Sequence, residues 1–328
     1  MATYSGKQFE AYVGLGANNN LGANSVHASD TLYKLRLPSV EDIDFSAGVQ
    51  ISDIERTGQR VLRPTDHVAV RGGGSYTWAF SDYVIENEAA LQMLLQLATE
   101  DTSPAVSAAI AGNIGTTTYA EGAATGEYAN IVISSPDTDK DRLMHSAILQ
   151  ELTLSMDAGT HGGRLVASGT FWSGFRPEIA TEATSANATA VDYTKGLFDC
   201  TTTQLGGSAV VIKGFSFTVS NPATRVGYKT VNSNAGEPES YNRGGQINVS
   251  GSINVKMDDN SVSMVDNFLA GTSTNVSVGD GSTIDFDIPT AKFTGHTLNT
   301  GDEEGVFVEL PFMGTADGSG ALATIILT

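Results

Sequence analysis

The sequence has almost no cysteine: Cys200 is the only one among 328 residues. A single cysteine excludes an intrachain disulfide framework and any metal site that needs several thiolates. The five histidines lie in separate segments and lack the spacing of metal ligands. We therefore expect neither a metal nor another cofactor.

Basic residues are scarce as well. The chain carries 18 Lys and Arg against 37 Asp and Glu, which gives a formal net charge of −19. Affinity for nucleic acids and for anionic membranes depends on Lys and Arg, so this balance disfavours both kinds of binding. Only 17% of the residues are charged, below the usual figure of about 25%. The net negative charge therefore results from a scarcity of Lys and Arg and not from an acidic tail.

Long apolar runs are missing too. Stretches such as residues 321–327 are far too short to span a bilayer, and the first residues lack the basic and apolar segments of a signal peptide. We expect a soluble chain that is made in a cytoplasm. Proline is limited to 9 residues, whereas glycine reaches 36 and hydrophobic residues 40%. This composition is typical of a folded protein rich in strands and turns.

Alternating apolar residues predict a mainly β fold. The predicted strands lie around residues 35–45, 76–83, 149–156, 164–175, 215–219, 247–255, 283–288, 306–312 and 323–327. Two segments have helical spacing instead, 87–100 with Asn87 as N-cap and 260–270. Their expected inner faces consist of Leu91, Leu94, Leu95 and Ala98 in the first helix and of Val262, Val265 and Leu269 in the second.

The two halves of the sequence resemble each other. The triplet starting at Arg71 recurs as Arg-Gly-Gly at Arg243, 172 residues later, and the predicted helix starts at Glu88 and Asn260 are also 172 residues apart. Such a period predicts two tandem domains. Apolar residues are even-numbered in 76–80 but odd-numbered in 247–255. A one-residue bulge would repair this mismatch; alternatively, the match in spacing between the halves is partly coincidental. The expected organisation is an N-terminal arm (1–30), a first domain (31–178, with an insertion at about 101–147), a linker (179–211) and a second domain (212–328).

No catalytic motif stands out. The Gly-x-Gly at residues 14–16 lacks the third glycine of a dinucleotide-binding loop, and the acidic run at 137–141 lacks the glycine and the final carboxylate of a calcium loop. Trp78 and Trp172 lie in alternating segments, so we expect them in the core and not stacked on sugars. Acidic residues are plentiful and a two-carboxylate hydrolase stays open, but nothing selects a pair. We predict that the protein is not an enzyme.

Four segments are similar to those of a known family: 9–16, 149–156, 163–174 and 323–328. Together with the order of strand, long-loop hairpin, short helix and second hairpin, they resemble the major tail tube proteins of long-tailed bacteriophages. The resemblance implies rings stacked into a hollow tube, whose inner β-barrel wall comes from all subunits and whose helices lie outside it. Two tandem tube domains of β-sandwich or barrel-wall type, each with a short flanking helix, imply a homotrimer that imitates a hexameric ring.

The same resemblance implies a virion protein that is assembled in the host cytoplasm. Its partners would be other copies of itself, the tape measure protein, the tail terminator and distal tail proteins, while DNA passes through the tube without specific binding. Two alternatives stay open. One is another β-rich virion component, such as a tail terminator, baseplate hub or decoration protein; the other is a glycan-binding or hydrolytic β-sandwich.

Two sets of residues are predicted to carry the tube function. Polar loops as long as 48–67 and 220–242 are unusual inside hairpins and commonly bind partners, so we expect them to join successive rings. The candidates for ring stacking are Arg56, Arg60, Arg63, Arg225 and Lys229. Strand alternation places four carboxylates opposite the apolar face, and the candidates for a negatively charged lumen are Asp42, Asp44, Asp285 and Asp287. Glu309 is left undecided, because Phe307 shares its parity.

Overall fold

The computed structural model describes residues 8–16, 32–44, 49–53, 67–71, 74–99, 107–111, 118–120, 128–136, 140–180, 191–228, 237–242, 246–300, 305–317 and 321–327. Strands dominate these segments, which confirms the predicted mainly β fold. Among the helices within these ranges, none is both long and apolar enough to cross a membrane.

The described segments contain two α-helices, α1 (Glu88–Thr99) and α2 (Asp259–Ala270). The strands of the first half are β1 (Glu10–Leu15), β2 (Leu32–Leu35), β3 (Val49–Asp53), β4 (His67–Arg71), β5 (Tyr76–Val84), β6 (Ser107–Ala111), β7 (Thr118–Ala120), β8 (Ala129–Ser134), β9 (Asp141–Asp157), β10 (Val166–Ser173) and β11 (Glu178–Ala180). The strands of the second half are β12 (Gln204–Leu205), β13 (Ser208–Ala209), β14 (Ile212–Ser220), β15 (Thr224–Tyr228), β16 (Pro238–Asn242), β17 (Asn248–Lys256), β18 (Thr274–Gly279), β19 (Ile284–Phe293), β20 (Thr297–Asn299), β21 (Phe307–Gly314) and β22 (Ala321–Leu327).

A continuous antiparallel sheet forms the centre of the molecule, in the order β5–β10–β9–β14–β17–β21. The C-terminal part of β9, from Glu151 to Asp157, pairs with β14, and this ladder joins the two halves of the chain, as do the ladders of β6 with β22 and of β7 with β16. Because successive side chains of a strand point to opposite faces, this central sheet has an apolar face and a polar face.

Helix α1 packs on β9 and β14. All four residues of its predicted inner stripe are buried, and Met93 and Leu97 are buried as well. The side chain of Asn87 caps the helix, since its Oδ1 accepts a hydrogen bond from the amide of Ala90 at 2.9 Å. The predicted helix, cap and inward face are therefore confirmed for α1. Leu154 and Phe217 of these strands are buried in the same hydrophobic core as the inner face of α1.

Further strands extend the sheet beyond its centre. The N-terminal part of β9 pairs with β8, β8 pairs with β1, and β1 pairs with β2. In the second half, β18 and β22 flank the N-terminal part of β19. Side chains of both extensions, such as Val13, Ile131 and Phe286, join the same hydrophobic core as the central strands.

β5 contains a one-residue bulge, of the kind that a shared fold of the two halves would require; the shared fold itself stays a prediction. Phe80 lies opposite Gly169 and Tyr83 opposite Ala167, so two residues of β5 occupy the space of one residue of β10. Asp82, inside this bulge, has a positive φ of 55°. The bulge shifts the buried positions from even to odd numbers, which is the extra residue that the sequence comparison required.

The two long segments predicted as polar loops begin and end as strands. β3 pairs with β4, and β15 pairs with β16, so each segment is the base of a β-hairpin and not a loop throughout. The second hairpin also pairs with β7, from the predicted insertion of the first half. Ladder hydrogen bonds satisfy the backbone here, which polar composition alone did not indicate.

Two other details of the sequence-based prediction are wrong. Residues 41–44 form no strand, although Ile43 is buried. Helix α2 turns another face inward: Val262 and Leu269 are exposed. A stripe of Ser261, Met264 and Phe268, spaced i, i+3 and i+7, lies on its inner side instead, because Met and Phe offer more apolar area than valine.

The predicted linker is packed on the rest of the chain wherever the structure describes it: residues 179–180 belong to β11, which pairs with β9, and residues 191–211 form a second described segment. It contains β12 and β13 and buries Tyr193, Leu197 and Leu205. The guanidinium of Arg164 donates hydrogen bonds to the carbonyl oxygens of Ile85 and Tyr193, both at 2.8 Å. This segment therefore contributes to the core, and its role as a boundary between two domains stays a prediction.

Candidate assembly interfaces

The polar face of the central sheet is the first candidate surface. Ladder partners across β9, β14, β17 and β21 form four rows, in which every residue but Gly214 is exposed or half-buried. The rows consist of Glu151, Ser220 and Asn248; of Thr153, Thr218, Ser250 and Met313; of Ser155, Ser216, Ser252 and Pro311; and of Asp157, Gly214, Asn254 and Glu309.

Hydroxyl groups pair across the strands of this face. The Oγ1 atoms of Thr153 and Thr218 lie 2.9 Å apart, and the Oγ atoms of Ser216 and Ser252 lie 3.1 Å apart. Such cross-strand pairs stabilise a sheet while their oxygens stay available to water. The charged members of the four rows are all carboxylates, as the residues above show. The sequence did not indicate these hydroxyl rows, because Ser and Thr alternate in loops as well as in strands.

Glu309, which the sequence left undecided, belongs to this polar face. Phe307 has the same parity but is buried, and the Nζ of Lys213 lies 5.5 Å from the centre of its ring. A cation over an aromatic face is favourable. Lys213 thus helps to cover Phe307. The burial of Phe307 therefore does not mean that the odd-numbered residues of β21 face the core.

Asp42 and Asp44, predicted to line a lumen, are not part of these rows. Both are exposed, in the irregular segment 41–44, and Asp42 forms an ion pair with Arg142. Ile43 between them is buried, so the predicted alternation is present without the strand. Their assignment to a lumen stays a prediction.

Asp285 and Asp287 lie in the part of β19 that pairs with β18 and β22. Their neighbours Ile284 and Phe286 are buried, so the predicted parity is correct. Asp287 Oδ1 accepts a hydrogen bond from Asn275 Nδ2 at 2.8 Å. Burial raises the pKa of Asp285, and the charges of nearby aspartates raise it further. These carboxylates lie on the β18–β19 and β19–β22 ladders, outside the four central rows, and their lumen role also stays a prediction.

The two hairpins form the second candidate surface. β4 leads into β5, which begins at Tyr76 opposite Ser173, and β16 leads into β17, which begins at Asn248 opposite Ser220. Both positions flank the same stretch of β9, residues 148–151. The hairpins therefore leave the central sheet at the same end.

One of the predicted stacking residues is described. Arg225 is half-buried in β15, and its guanidinium carbon lies 5.7 Å from the ring centre of Trp172 and 5.9 Å from that of Tyr228. These cation–π contacts hold Arg225 at the base of the hairpin. The other stacking candidates lie outside the described residues; they are Arg56, Arg60, Arg63 and Lys229.

Tyr241 anchors the second hairpin to the first half of the chain. It is fully buried, and its hydroxyl accepts a hydrogen bond from the amide of Gly174 at 2.7 Å. Its ring centre lies 5.0 Å from that of Trp172 and 5.5 Å from that of Phe175. Burial raises the pKa of Tyr241. Sequence reasoning missed this anchor; an aromatic residue inside a polar segment was the available signal.

The described residues offer no group of three or more His, Cys, Asp or Glu side chains that could hold a metal ion. Burial, with the charges of nearby aspartates, raises the pKa of the Cys200 thiol to about 12. The thiol is therefore protonated at neutral pH and is a poor nucleophile. Trp78 and Trp172 are buried, as predicted, so neither offers a flat ring to a sugar.

A family model described as phage tail tube protein matches residues 48–314, which is most of the chain. The chain belongs to the phage tail tube protein family. A search of curated proteins found no match. The matched region begins just before β3 and ends with β21, so it includes both hairpins and the whole central sheet. As a tail tube protein, the chain is a structural component of the phage virion, and its polar face and its hairpins are candidate surfaces of the tube.

Proposed function

We propose that this tail tube protein forms trimeric rings, with two tube domains in each chain, and that the rings stack into the conduit for phage DNA. The observation that carries the proposal is a repeated pairing order. It runs β5–β10–β9 in the first half and β17–β21–β19 in the second, and β9 and β14 join the two units edge to edge. Three chains with two units each supply six wall segments to a ring. Domain limits of 31–178 and 212–328 fit this arrangement.

Native mass spectrometry and negative-stain electron microscopy of the purified protein test this proposal. Trimers, and rings with six similar wall segments, are expected. A heterologous contact that closes on itself gives a ring of fixed size, so the trimer should dominate over a range of concentrations. A stable hexamer, or a chain that stays monomeric at every concentration, contradicts the proposal.

We assign the polar face of the central sheet to the channel wall. Helix α1 packs on the apolar face, so the polar face is the one that can line a channel. Its carboxylates repel phosphate, and the four rows themselves contain no Lys or Arg, while Lys256 and Lys292 lie at their margins. Three chains at −19 give a formal charge of 3 × −19 = −57 per ring, although screening limits the reach of wall charges to a Debye length of about 8 Å.

Substitution of Thr218 and Ser250 by Lys tests this assignment. Phage with both lysines should build normal tubes but eject DNA more slowly, because cations in the wall hold phosphate. A matched variant with Gln at both positions adds similar bulk without charge and should eject at the normal rate. Normal ejection through normal lysine-containing tubes contradicts the assignment. The double variant Asp285→Lys and Asp287→Lys, measured in parallel, tests the lumen candidates predicted from the sequence.

We assign ring-to-ring stacking to the two hairpins. Both leave the central sheet at one end, and both are long and polar, so they can reach a neighbouring ring together. Arg56, Arg60, Arg63 and Lys229 would meet carboxylates of that ring, in contacts that salt weakens. Replacement of residues 229–236 by an Asn-Gly turn should leave rings that no longer form tubes. Tubes of ordinary length from this variant contradict the assignment.

The proposed role as the tube of a phage tail implies further partners. A tube needs a protein that sets its length and proteins that close its two ends, so we propose the tape measure, terminator and distal tail proteins as partners. Assembly would take place in the host cytoplasm, before the tail joins the virion. Co-purification of the chain with each of these proteins tests the partners one by one.

A further inference from the structure

Strand β9 contains a bulge at the point where it changes partners. Ala129 of β8 pairs with Ala147 and Ile131 pairs with Met144, so β9 has one extra residue between these pairs. Ser146, inside the bulge, is fully buried and has a positive φ of 51°. A left-handed backbone is strained for a residue that carries a side chain. The bulge therefore stores strain between the part of β9 that pairs with β8 and the part that pairs with β10.

His145 lies in the same bulge, and packing alone holds its ring. The residue is only 3% exposed, and neither ring nitrogen has a hydrogen-bond partner within the described part of the chain. Its ring centre lies 5.6 Å from that of Phe175. Burial lowers the pKa of His145 to about 4, although the carbonyl oxygen of Arg176 favours the protonated ring. The closed structure therefore accommodates a neutral imidazole and disfavours a charged one.

The second hairpin, β15–β16, is seated on the segment that covers this ring. Tyr241 of β16 accepts a hydrogen bond from the amide of Gly174, and its ring centre lies 5.5 Å from that of Phe175. The hydroxyl of Ser173 donates a hydrogen bond to the carbonyl oxygen of His145 at 2.9 Å and accepts one from the amide of Phe175 at 3.0 Å. The same three residues therefore cover the histidine and seat the hairpin.

A cavity beside this segment gives it room to move. The cavity has a volume of about 370 Å³ and is lined by Arg176, Pro177, Glu178 and Ile179, which follow Phe175 directly. Ile179 is 58% exposed, so the cavity opens to water. A volume of this size holds several water molecules, at about 30 Å³ each. Displacement of Phe175 towards the cavity would therefore bring water to the imidazole.

Other titratable groups surround the histidine, so their part in any effect of acid has to be separated. The elements packed around it carry the cations Arg142, Arg176 and Arg225, the carboxylates Asp141, Glu178, Glu237 and Glu239, and the phenols Tyr76, Tyr128 and Tyr241, while β8 and β10 themselves carry none. Burial, and none of these charges, is the largest cause of the shift in the pKa of His145. Carboxylates also titrate in acid, so the wild type and a variant must be compared at one pH.

We propose that protonation of His145 releases the second hairpin from its seat while the central sheet stays folded. A charged imidazole needs water, and displacement of residues 173–177 towards the cavity supplies it. The same displacement breaks the hydrogen bond from Gly174 to Tyr241, and relief of the strain at Ser146 makes it easier. Where the hairpin joins rings, as proposed above, acid would loosen the stack as well. The inference itself concerns contacts within one chain, so it can fail or hold independently of the ring.

Hydrogen–deuterium exchange with mass spectrometry of the purified protein tests this proposal at pH 7 and pH 4.5. The histidine titrates with its ordinary pKa of 6.5 in the open form and with a pKa of about 4 in the closed form. The open population should therefore rise roughly 50-fold between the two pH values. Peptides that cover residues 173–176 and 238–242 should lose protection by this factor relative to His145→Phe at the same pH. Peptides from β14 and β17 in the same sample should stay protected.

Two further variants separate the histidine from its surroundings. His296→Gln, at an exposed histidine, is the matched control and should keep the acid response of the wild type. Tyr241→Phe removes the acceptor of the Gly174 amide, so residues 238–242 should lose protection already at pH 7. If His145→Phe fails to fold, His145→Gln, which gains no proton in this range either, takes its place and is judged by the same outcomes.

The outcomes either support the release or overturn it. Faster exchange of both peptides in the wild type at pH 4.5, with β14 and β17 still protected, supports it. Equal exchange in the wild type and in the variant at residue 145 overturns it, and so does loss of the same response in His296→Gln. Exchange of the hairpin together with β14 shows general unfolding and overturns a local release. Exchange of 173–176 alone, or unchanged protection of 238–242 in Tyr241→Phe, overturns the link between the histidine and the hairpin.

Discussion

Replacement of Gly251, in the central sheet, by alanine should lower the stability of the protein although it adds only one methyl group. Gly251 lies in β17, opposite Phe217 of β14 on one side and Phe312 of β21 on the other. A Cβ atom at this position would lie 2.1 Å from the carbonyl oxygen of Ser216 and 2.7 Å from the ring of Phe312. The ring of Phe312 thus fills the space that a side chain would need.

The magnitude follows from which atoms obstruct the methyl group in Gly251→Ala. The ring of Phe312 can tilt, but the carbonyl of Ser216 belongs to the backbone of a central strand and cannot move without separating β14 from β17. Overpacking of a core costs about 1–3 kcal/mol, and a backbone obstacle places this site near the upper end. Alanine in a strand recovers about 0.5–1 kcal/mol relative to glycine. We expect a net loss of about 2 kcal/mol in the free energy of unfolding, or about 4 °C in Tm for a chain of this size.

Differential scanning calorimetry measures this change. Gly295→Ala is the matched control, because its Cβ would meet nothing closer than a proline side-chain atom at 3.4 Å, an ordinary contact. The control should melt at or slightly above the wild-type temperature. If Gly251→Ala melts as high as Gly295→Ala, β14 and β17 are not packed as closely as described, and the argument for the central sheet is refuted.

Three further variants test the core, the hairpin anchor and a buried histidine. Leu94→Asp places a charge on the fully buried face of α1 and should cost several kcal/mol, seen as loss of soluble protein, whereas Gln96→Asp on the half-buried side should stay soluble. Tyr241→Phe removes the acceptor for the buried amide of Gly174 and should lower stability by about 1–3 kcal/mol; an unchanged Tm would show that this bond does not hold the hairpin. Burial lowers the pKa of His145 from 6.5 to about 4, so the unfolded chain binds more protons between these values. The free energy of unfolding should therefore be unaffected by His145 above pH 6.5 and should fall by about 3 kcal/mol as the pH drops towards 4. In His145→Phe, free energies of unfolding measured with urea should lose this dependence on pH.

The sequence determined the features that depend on neighbouring residues. Alternation fixed the strands at 215–219 and 247–255, because one face of each had to be apolar. The 3.6-residue spacing and Asn87 fixed α1, because a cap and a stripe act within a few turns. The mismatch in parity between 76–80 and 247–255 was also visible in the sequence, although the position of the bulge, between Phe80 and Tyr83, came from the structure.

The tertiary structure alone decided which strands became neighbours. The C-terminal part of β9 has β10 on one side and β14 on the other, and no pattern within residues 151–157 specifies either neighbour. Val262 and Met264 are both apolar residues of α2, but only Met264 is buried, because α2 packs that face on the rest of the chain. The polar face likewise exists only once β9, β14, β17 and β21 lie side by side. Burial depends on what the rest of the chain brings to a residue, and periodicity along one segment carries no information about that partner.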